Sequence, residues 1–392
     1  MTALFHPHWP NLLGIITLAI WLHLFYGRGW FWRVKRLCAD DGRFQLPGSW
    51  PKIVAVVPAR NEAATIGKAV ASLVSQEYPG TFFIVVVDDH CEDETVALAK
   101  RISMELGAEG KVRVVAASAL PEGWTGKLWA LNEGVASAAA EEPAFYWFTD
   151  ADITHAPDTL RRLVARAEQD KFDLASLMVL LQARTLPERA LIPAFLYFFL
   201  MLYPPQWIAD EDLSTAGAAG GCILLRREAL ERMGGFAAIR GEVIDDCALA
   251  RTVKRSDGRV WMGLTRKSES LRVYGTWSEI ADLIARTAFT QLRYSAWLLA
   301  GTLVAMFLTY VAPVVLLFSP DVIARIFGLT AWLLMTFSFL PTIRFYRLSP
   351  LWAPLLPLTA MFYTYATFLS ALRFWRGKGG QWKGRAQAQR NV

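Results

Sequence analysis

The sequence predicts an α/β domain with a mostly parallel sheet, held between apolar segments that reach into a membrane. Short β-type runs alternate with helical stretches through the middle of the chain, and apolar blocks of spanning length stand at both ends. The composition agrees: 54% of the 392 residues are hydrophobic, 19% are charged, and mean hydropathy is +0.28. That balance excludes a disordered chain and is too apolar for an ordinary soluble enzyme.

The first apolar block runs from Leu12 to about Trp32, interrupted by His23 and Arg28. No Lys or Arg precedes it, whereas Arg28, Arg33, Lys35 and Arg36 follow, the reverse of a cleavable signal peptide. It reads as an uncleaved anchor over residues 8–33 with its C-terminal side in the cytoplasm. Residues 297–318, 323–341 and 352–372 are three further blocks close to the ~20 residues of a spanning helix. Counting every block as a span sends the tail at 376–392 to the far side. That tail is basic, so the count runs against the positive-inside rule. Pro350, Pro354 and Pro357 open the last block, which leaves it re-entrant, interfacial or spanning. From Arg373 onward there are six basic residues and no acidic ones, equal to the whole net charge of +6. A basic tail after an apolar segment marks a membrane surface rather than a nucleic acid. The four cysteines, Cys38, Cys91, Cys222 and Cys247, are scattered, which fits reduced thiols better than a disulfide framework.

Within residues 50–275, Ile53–Val57, Phe83–Val87, Val112–Val115 and Phe145–Phe148 are strand-like. Helical patterns at Glu62–Ser75, Asp93–Leu106 and Lys127–Ala140 fill the gaps, the signature of βαβ units. Ligands of such sheets sit beyond the carboxyl ends of the strands. No GxGxxG or GxxxxGK[ST] follows any strand, which argues against a dinucleotide or P-loop site. Carboxylates follow three of them instead: Glu62 after the first, Asp88 and Asp89 after the second, Asp150 and Asp152 after the fourth. Helix capping explains Asp93 and Asp158. It explains Asp150-Ala151-Asp152 poorly, because neighbouring like charges repel unless something positive lies between them. A divalent cation holding a diphosphate is one such solution.

The ordered series resembles the family 2 inverting nucleotide-sugar glycosyltransferases, which have a GT-A fold. It is carried by Val56-Val57-Pro58-Ala59-Arg60-Asn61-Glu62, Val87-Asp88-Asp89, the segment from Gly126 to Asn132, and Thr149-Asp150-Ala151-Asp152. It continues through Gly220-Gly221-Cys222 and Gly234-Gly235-Phe236 to the run from Asp245 to Ala250. The resemblance implies a UDP-sugar donor and a Mg or Mn cation. Pro58, Arg60 and Glu62 then lie against the nucleoside and Asp89 reads the uracil edge, with Asp88 supporting the turn. Lys127 and Asn132 fall beside the donor phosphates and ribose, and Asp150 and Asp152 at the metal and donor sugar, with Asp152 the direct ligand. Asp246, three residues before Leu249, takes the general-base position, and Asp245 stands where the family has glutamate. Arg293 keeps one position of a Gln/Arg-x-x-Arg-Trp motif and would meet the diphosphate. Tyr294 replaces the tryptophan there, which puts a polymer-channel role in doubt. Gln381-Trp382-Lys383-Gly384-Arg385 resembles a Trp-x-Gly-Arg motif near related active sites, and reads equally as an interfacial anchor.

Two segments bear on the acceptor. Leu191–Ile208 is apolar and aromatic but broken by Pro193, Pro204 and Pro205. It is either a buried core helix or, as preferred here, an interfacial segment facing a lipid. Over residues 276–296, Ile280, Ile284, Ala288 and Leu292 recur every four residues, an amphipathic stripe ahead of the membrane segments at 297–375. The chain looks most like hopanoid-biosynthesis-associated glycosyltransferases, themselves similar to ceramide glucosyltransferases. That implies a bacterial inner-membrane enzyme with a cytoplasmic catalytic domain and a hopanoid or ceramide-like lipid acceptor. A polyprenyl-phosphate acceptor is the alternative, for which Arg226 and Arg227 are the obvious phosphate ligands. An inactive scaffold is a third reading, disfavoured because Asp89, Asp152 and Asp246 are all present.

Overall fold

The computed structural model describes residues 9–40, 45–377, 381–382 and 385–386. Eight strands form one sheet: β1 (Ile53–Ala59), β2 (Phe82–Asp88), β3 (Val112–Ala116), β4 (Phe145–Phe148), β5 (Ile153–His155), β6 (Leu174–Leu180), β7 (Ile223–Arg226) and β8 (Val260–Ser270). Their order across the sheet is β3-β2-β1-β4-β7-β6-β8-β5. β1 pairs in parallel with β2 and β4, β2 with β3, and β6 with β8. β7 runs antiparallel between β4 and β6, and β5 antiparallel beside β8. This is the mostly parallel GT-A-like α/β sheet expected from the sequence, with apolar helices at both ends.

Every residue of β1 is buried, as a central parallel strand covered on both faces requires. The helices that cover the sheet include α2 (Ile66–Val74), α3 (Thr95–Glu105), α4 (Gly126–Ser137) and α5 (Thr159–Gln169), following the apolar helix α1 (Trp9–Gly27). α2 starts four residues later than the sequence pattern indicates. The backbone N–H groups of Glu62 and Ala63 are tied to Thr95 Oγ1 (2.7 Å) and Asp93 Oδ2 (3.1 Å), so residues 61–65 belong to a loop. Asp93 thus bridges two loops while also accepting from Thr95 N–H (3.0 Å). Asp158 makes no side-chain cap and pairs with Lys267 instead, at 2.5 Å.

α4 lies so close to β1 and β2 that a Cβ at Gly134 would run into Val56 and Val87. Gly134→Ala is expected to cost about 1–3 kcal/mol through overpacking, read as a lower unfolding midpoint at unchanged m-value.

The apolar run after β6 is a packed helix, α6 (Leu186–Leu202), with Leu191, Ile192, Leu196, Tyr197 and Leu200 buried. The sequence reading preferred an interfacial position because the domain is tied to the membrane at both ends. The structure instead closes its polar ends within the protein. A Thr185/Glu188 capping box starts the helix, and Tyr197 Oη is bonded to Ser338 Oγ (2.6 Å). Helix α7 (Asp245–Arg255) follows β7 in the chain, and β8 leads to α8 (Trp277–Ala285) and α9 (Ala288–Gln291). The amphipathic stripe at 276–296 is therefore two helices, with Ile280, Ala281, Ile284 and Ala285 buried. Three apolar helices complete the chain: α10 (Ala296–Leu316), α11 (Val322–Phe345) and α12 (Leu356–Trp375), the last preceded by a 3-10 stretch over Pro350–Leu355. Together with α1, these give four segments long and apolar enough to cross a membrane. Most of the basic tail lies outside the described residues, including Lys383 and Gly384 of the Trp-x-Gly-Arg-like stretch. All four cysteines are free thiols.

Candidate active site

The carboxyl ends of β1, β4 and β8 open on one side of the sheet, and the antiparallel β7 begins there. A cleft of about 240 Å³ lies at this edge. Pro58, Arg60, Glu62, Lys127, Asp150, Asp152, Asp245 and Asp246 line it, together with Arg272, Tyr274 and Arg286. Most residues singled out by the sequence series therefore meet in one place.

Lys127 is the hub. It stands at the first turn of α4, and its ammonium lies 2.8 Å from Asp150 Oδ1 and 3.4 Å from Asp245 Oδ2. Burial works against its charge, but Asp150 and Asp245 outweigh that and raise its pKa, so it stays protonated. Asp150 is pushed up by burial and by the neighbouring Asp152 charge, against the pull of Lys127. Asp152 Oδ2 faces Arg272 Nε at 3.2 Å, and Arg272 also reaches Glu62 Oε1 at 3.4 Å.

Asp246 occupies the first turn of α7, where free backbone N–H groups favour a carboxylate. Its Oδ1 accepts from Cys247 N–H (2.7 Å) and its Oδ2 from Gly220 N–H (3.0 Å). Only glycine fits at 220 without displacement, because a Cβ there would stand 3.2 Å from Lys127 Nζ and 3.4 Å from Asp246 Oδ2. Burial, and then the adjacent Asp245, push the Asp246 pKa up to about 6, partly offset by Lys127 and the two N–H donors.

A buried chain of hydrogen bonds holds the Asp150–Asp152 turn. Thr149 Oγ1 donates to Gly221 O (3.0 Å), which leaves it to accept from His155 Nε2 (2.8 Å). Nδ1 of the same ring then accepts from Ser268 Oγ (2.8 Å). Burial holds His155 neutral, with its pKa lowered to about 3.

Asp89 sits one layer below the cleft, 1% exposed, with Arg60 Nη1 donating to its backbone carbonyl at 2.7 Å and lying 3.6 Å from its carboxylate. Asp88 accepts from Cys91 N–H (2.8 Å) and holds the turn. Besides Asp89, two further site residues of the sequence series do not line the cleft. Asn132 is five positions past Lys127, about 140° around the same helix. Arg293 is exposed, in a left-handed conformation (φ 51°) beyond α9. Sequence reasoning missed Arg272 and Tyr274, which follow β8 in no recognisable motif, and gave Arg286 no place in the cleft. Phe195 and Phe199 of α6 lie in the segment the sequence assigned to the acceptor and, with Met178, Leu181 and Leu283, add apolar side chains to the cleft lining.

Six carboxylates (Glu62, Asp150, Asp152, Glu242, Asp245, Asp246) face four cations (Arg60, Lys127, Arg272, Arg286) around the cleft. A divalent cation fits this excess. Asp150 and Asp152 offer hard oxygen donors whose mutual repulsion it would relieve, in the place the Arg272 guanidinium takes beside Asp152. Among the described residues no group of three or more His, Cys, Asp or Glu forms a closed metal cage. Such an ion would therefore need oxygens from a bound ligand.

Residues 54–234 match the model for Glycosyl transferase family 2. Beta-monoglucosyldiacylglycerol synthase of Synechocystis sp. is 30% identical over 171 residues, 39% of this chain and 34% of that protein. Succinoglycan biosynthesis protein ExoO of Rhizobium meliloti is 34% identical over 134 residues, 32% of this chain and 35% of that protein. The chain thus aligns with about a third of the length of these relatives. Among solved structures, the mannosyltransferase PcManGT from Pyrobaculum calidifontis, in complex with GDP-Man and Mn2+, shares the fold. Its TM-score is 0.55 at 18% identity, over 92% of this chain and 99% of that one. Asp245, Asp246 and Arg272 lie beyond the matched stretch, and the fold carries them to its edge. Residues 54–234 thus resemble a glycosyltransferase family 2 domain.

Proposed function

We propose that the protein is a membrane-bound inverting glycosyltransferase that moves a hexose from a UDP-sugar to a lipid hydroxyl, on a hopanoid or ceramide-like acceptor. The observation that carries this reading is the mixed lining of the cleft. It combines charged groups, among them one carboxylate poised near neutrality, Asp246, with the apolar side chains of Phe195, Phe199, Leu181 and Leu283. A charged donor and a greasy acceptor are what such a lining accommodates. The relatives named as glucosyldiacylglycerol synthases support a lipid acceptor.

Asp246 removes the proton from the acceptor hydroxyl as its oxygen attacks the sugar C1. The new C1–O bond forms on the face opposite the departing UDP, whose oxygen leaves with the electron pair of the old bond. Asp152 and Asp150 would hold a Mg or Mn ion, which when bound stabilises the leaving diphosphate. Arg272 moves from Asp152 towards the incoming phosphates. Lys127 pairs with Asp150 and Asp245, and its charge favours the ionised form of Asp246. Pro58, Arg60 and Glu62 border the nucleoside, with Asp89 fixing Arg60 from below. No role at the reacting atoms is assigned to Asn132 or Arg293. Arg226 and Arg227, the expected ligands of a polyprenyl phosphate, lie at the other edge of the sheet. There they pair with Glu168 (2.9 Å) and Glu231 (3.4 Å), which leaves the hydroxyl acceptor favoured.

Membranes carrying the wild-type protein, a mixed lipid extract and radiolabelled UDP-sugars with Mg or Mn should transfer label to the organic phase. Absence of label with every sugar, while UDP still binds, would contradict the reading. The pH dependence follows from the base. Asp246 must be ionised, so kcat/KM should fall about tenfold per unit below pH 6 and level off above pH 7. A profile flat down to pH 4.5 would remove Asp246 from that role.

A further inference from the structure

We propose that the last apolar segment, residues 350–375, does not cross the bilayer. It dips in from the side of the catalytic domain and returns to it, facing the lipids of that leaflet only. The inference is independent of the proposed reaction.

The other three apolar helices fix the two sides. α1 leads into the domain, and α11 runs parallel to it. At one end Asn11 Nδ2 donates to Asp321 Oδ2 (2.7 Å). At the other, the Arg266 guanidinium of β8 lies 5.0 Å over the Phe345 ring. α10 runs the opposite way, from the domain at Ala296 to Leu316, beside Gly328. These helices make three crossings, and Phe345 ends the third on the domain side.

Residues 350–375 start from that side and end on it. Pro354 O accepts from Trp332 Nε1 (3.1 Å), a residue 13 positions before Phe345 and so about 20 Å deeper along the helix. Pro350, Pro354 and Pro357 lack N–H donors and suit a turn whose carbonyls are satisfied by protein rather than lipid. From there α12 climbs back. Tyr363 Oη donates to Leu191 O (2.9 Å) and Ser370 Oγ to Ala285 O (2.5 Å). Phe374 stacks on Tyr294 at 4.4 Å, and Arg373 pairs with Asp282 at 2.5 Å. Asp282 stands next to Leu283 of the cleft wall. The opposite face of the segment exposes Leu351, Leu358, Met361 and Tyr365, each more than half accessible, in a stripe of helical spacing. A return also removes the conflict over charge. Arg373 and Arg376 then share a side with Arg28, Arg33, Lys35, Arg36, Arg344 and Arg347, whereas the far turn Ser319–Asp321 carries no basic residue.

The test uses the full chain with one epitope at the C-terminus and another inserted after Ser319, in sealed inside-out bacterial membrane vesicles treated with protease. Protease that cuts the catalytic domain should remove the C-terminal epitope and spare the one at Ser319. Survival of both epitopes while the domain is cut would place the C-terminus across the membrane and overturn the proposal. Loss of the Ser319 epitope in intact vesicles would overturn it as well, because the far side would not exist where the three crossings put it.

Discussion

Asp246→Asn is expected to lower lipid transfer by about 10²–10⁴-fold, the range over which a positioned general base contributes, while UDP binding persists. The amide fills nearly the same space, but it cannot take a proton. The carboxylate accepts from both Gly220 N–H and Cys247 N–H. An amide has one oxygen for the two donors, so one buried N–H loses its partner at a cost of about 1–3 kcal/mol. Thermal unfolding of the variant therefore belongs beside the assay. A modest drop in Tm with retained UDP affinity and lost transfer separates chemistry from folding. Transfer within threefold of wild type would show that another group takes the proton.

Lys127→Met should have the largest effect on the site as a whole. The substitution keeps the length of the side chain and removes the one charge that lies between Asp150 and Asp245. Stranding those carboxylates costs about 3 kcal/mol, near the low end for a broken buried pair because Asp150 is partly solvated. Without the ammonium, the Asp246 pKa moves further up, since Lys127 is one of the groups that hold it down. The acid limb of the kcat/KM profile should then shift to higher pH, a change that a loss of stability alone does not produce. An unshifted limb together with a lowered Tm would restrict Lys127 to a structural part.

The charged lining was legible in the sequence because each of its members follows a strand directly. β1, β2 and β4 end within a few residues of Arg60, Asp89 and Asp150, and a parallel sheet brings such ends to one edge whatever the loops do. Lys127 and Asp246 were legible for a similar reason, standing in the first turns of helices that return to that edge. Asn132 belonged to the same segment as Lys127 yet faces away, because motif adjacency in sequence is not adjacency around a helix. Arg272 was invisible, since only the long pairing of β8 with β6 carries it to the cleft. Core and interfacial positions were not separable for α6 in the sequence. An aromatic run broken by prolines has no periodicity that distinguishes a core helix from an interfacial one. The contacts that decide for α6, such as Tyr197 with Ser338 and Leu191 with Tyr363, span more than a hundred residues.

Loss of stability at Gly134, the pH limb and the two variants each probe one part of the site. The stereochemistry of the product probes the whole arrangement, because a single base opposite the leaving diphosphate permits only one displacement at C1. The decisive experiment is the anomeric configuration of the purified glycolipid, determined by NMR after transfer from an α-linked UDP-sugar. A β-linked product is the expected result. An α-linked product would mean two displacements or a front-face route, and would contradict Asp246 acting as the one base of an inverting transfer.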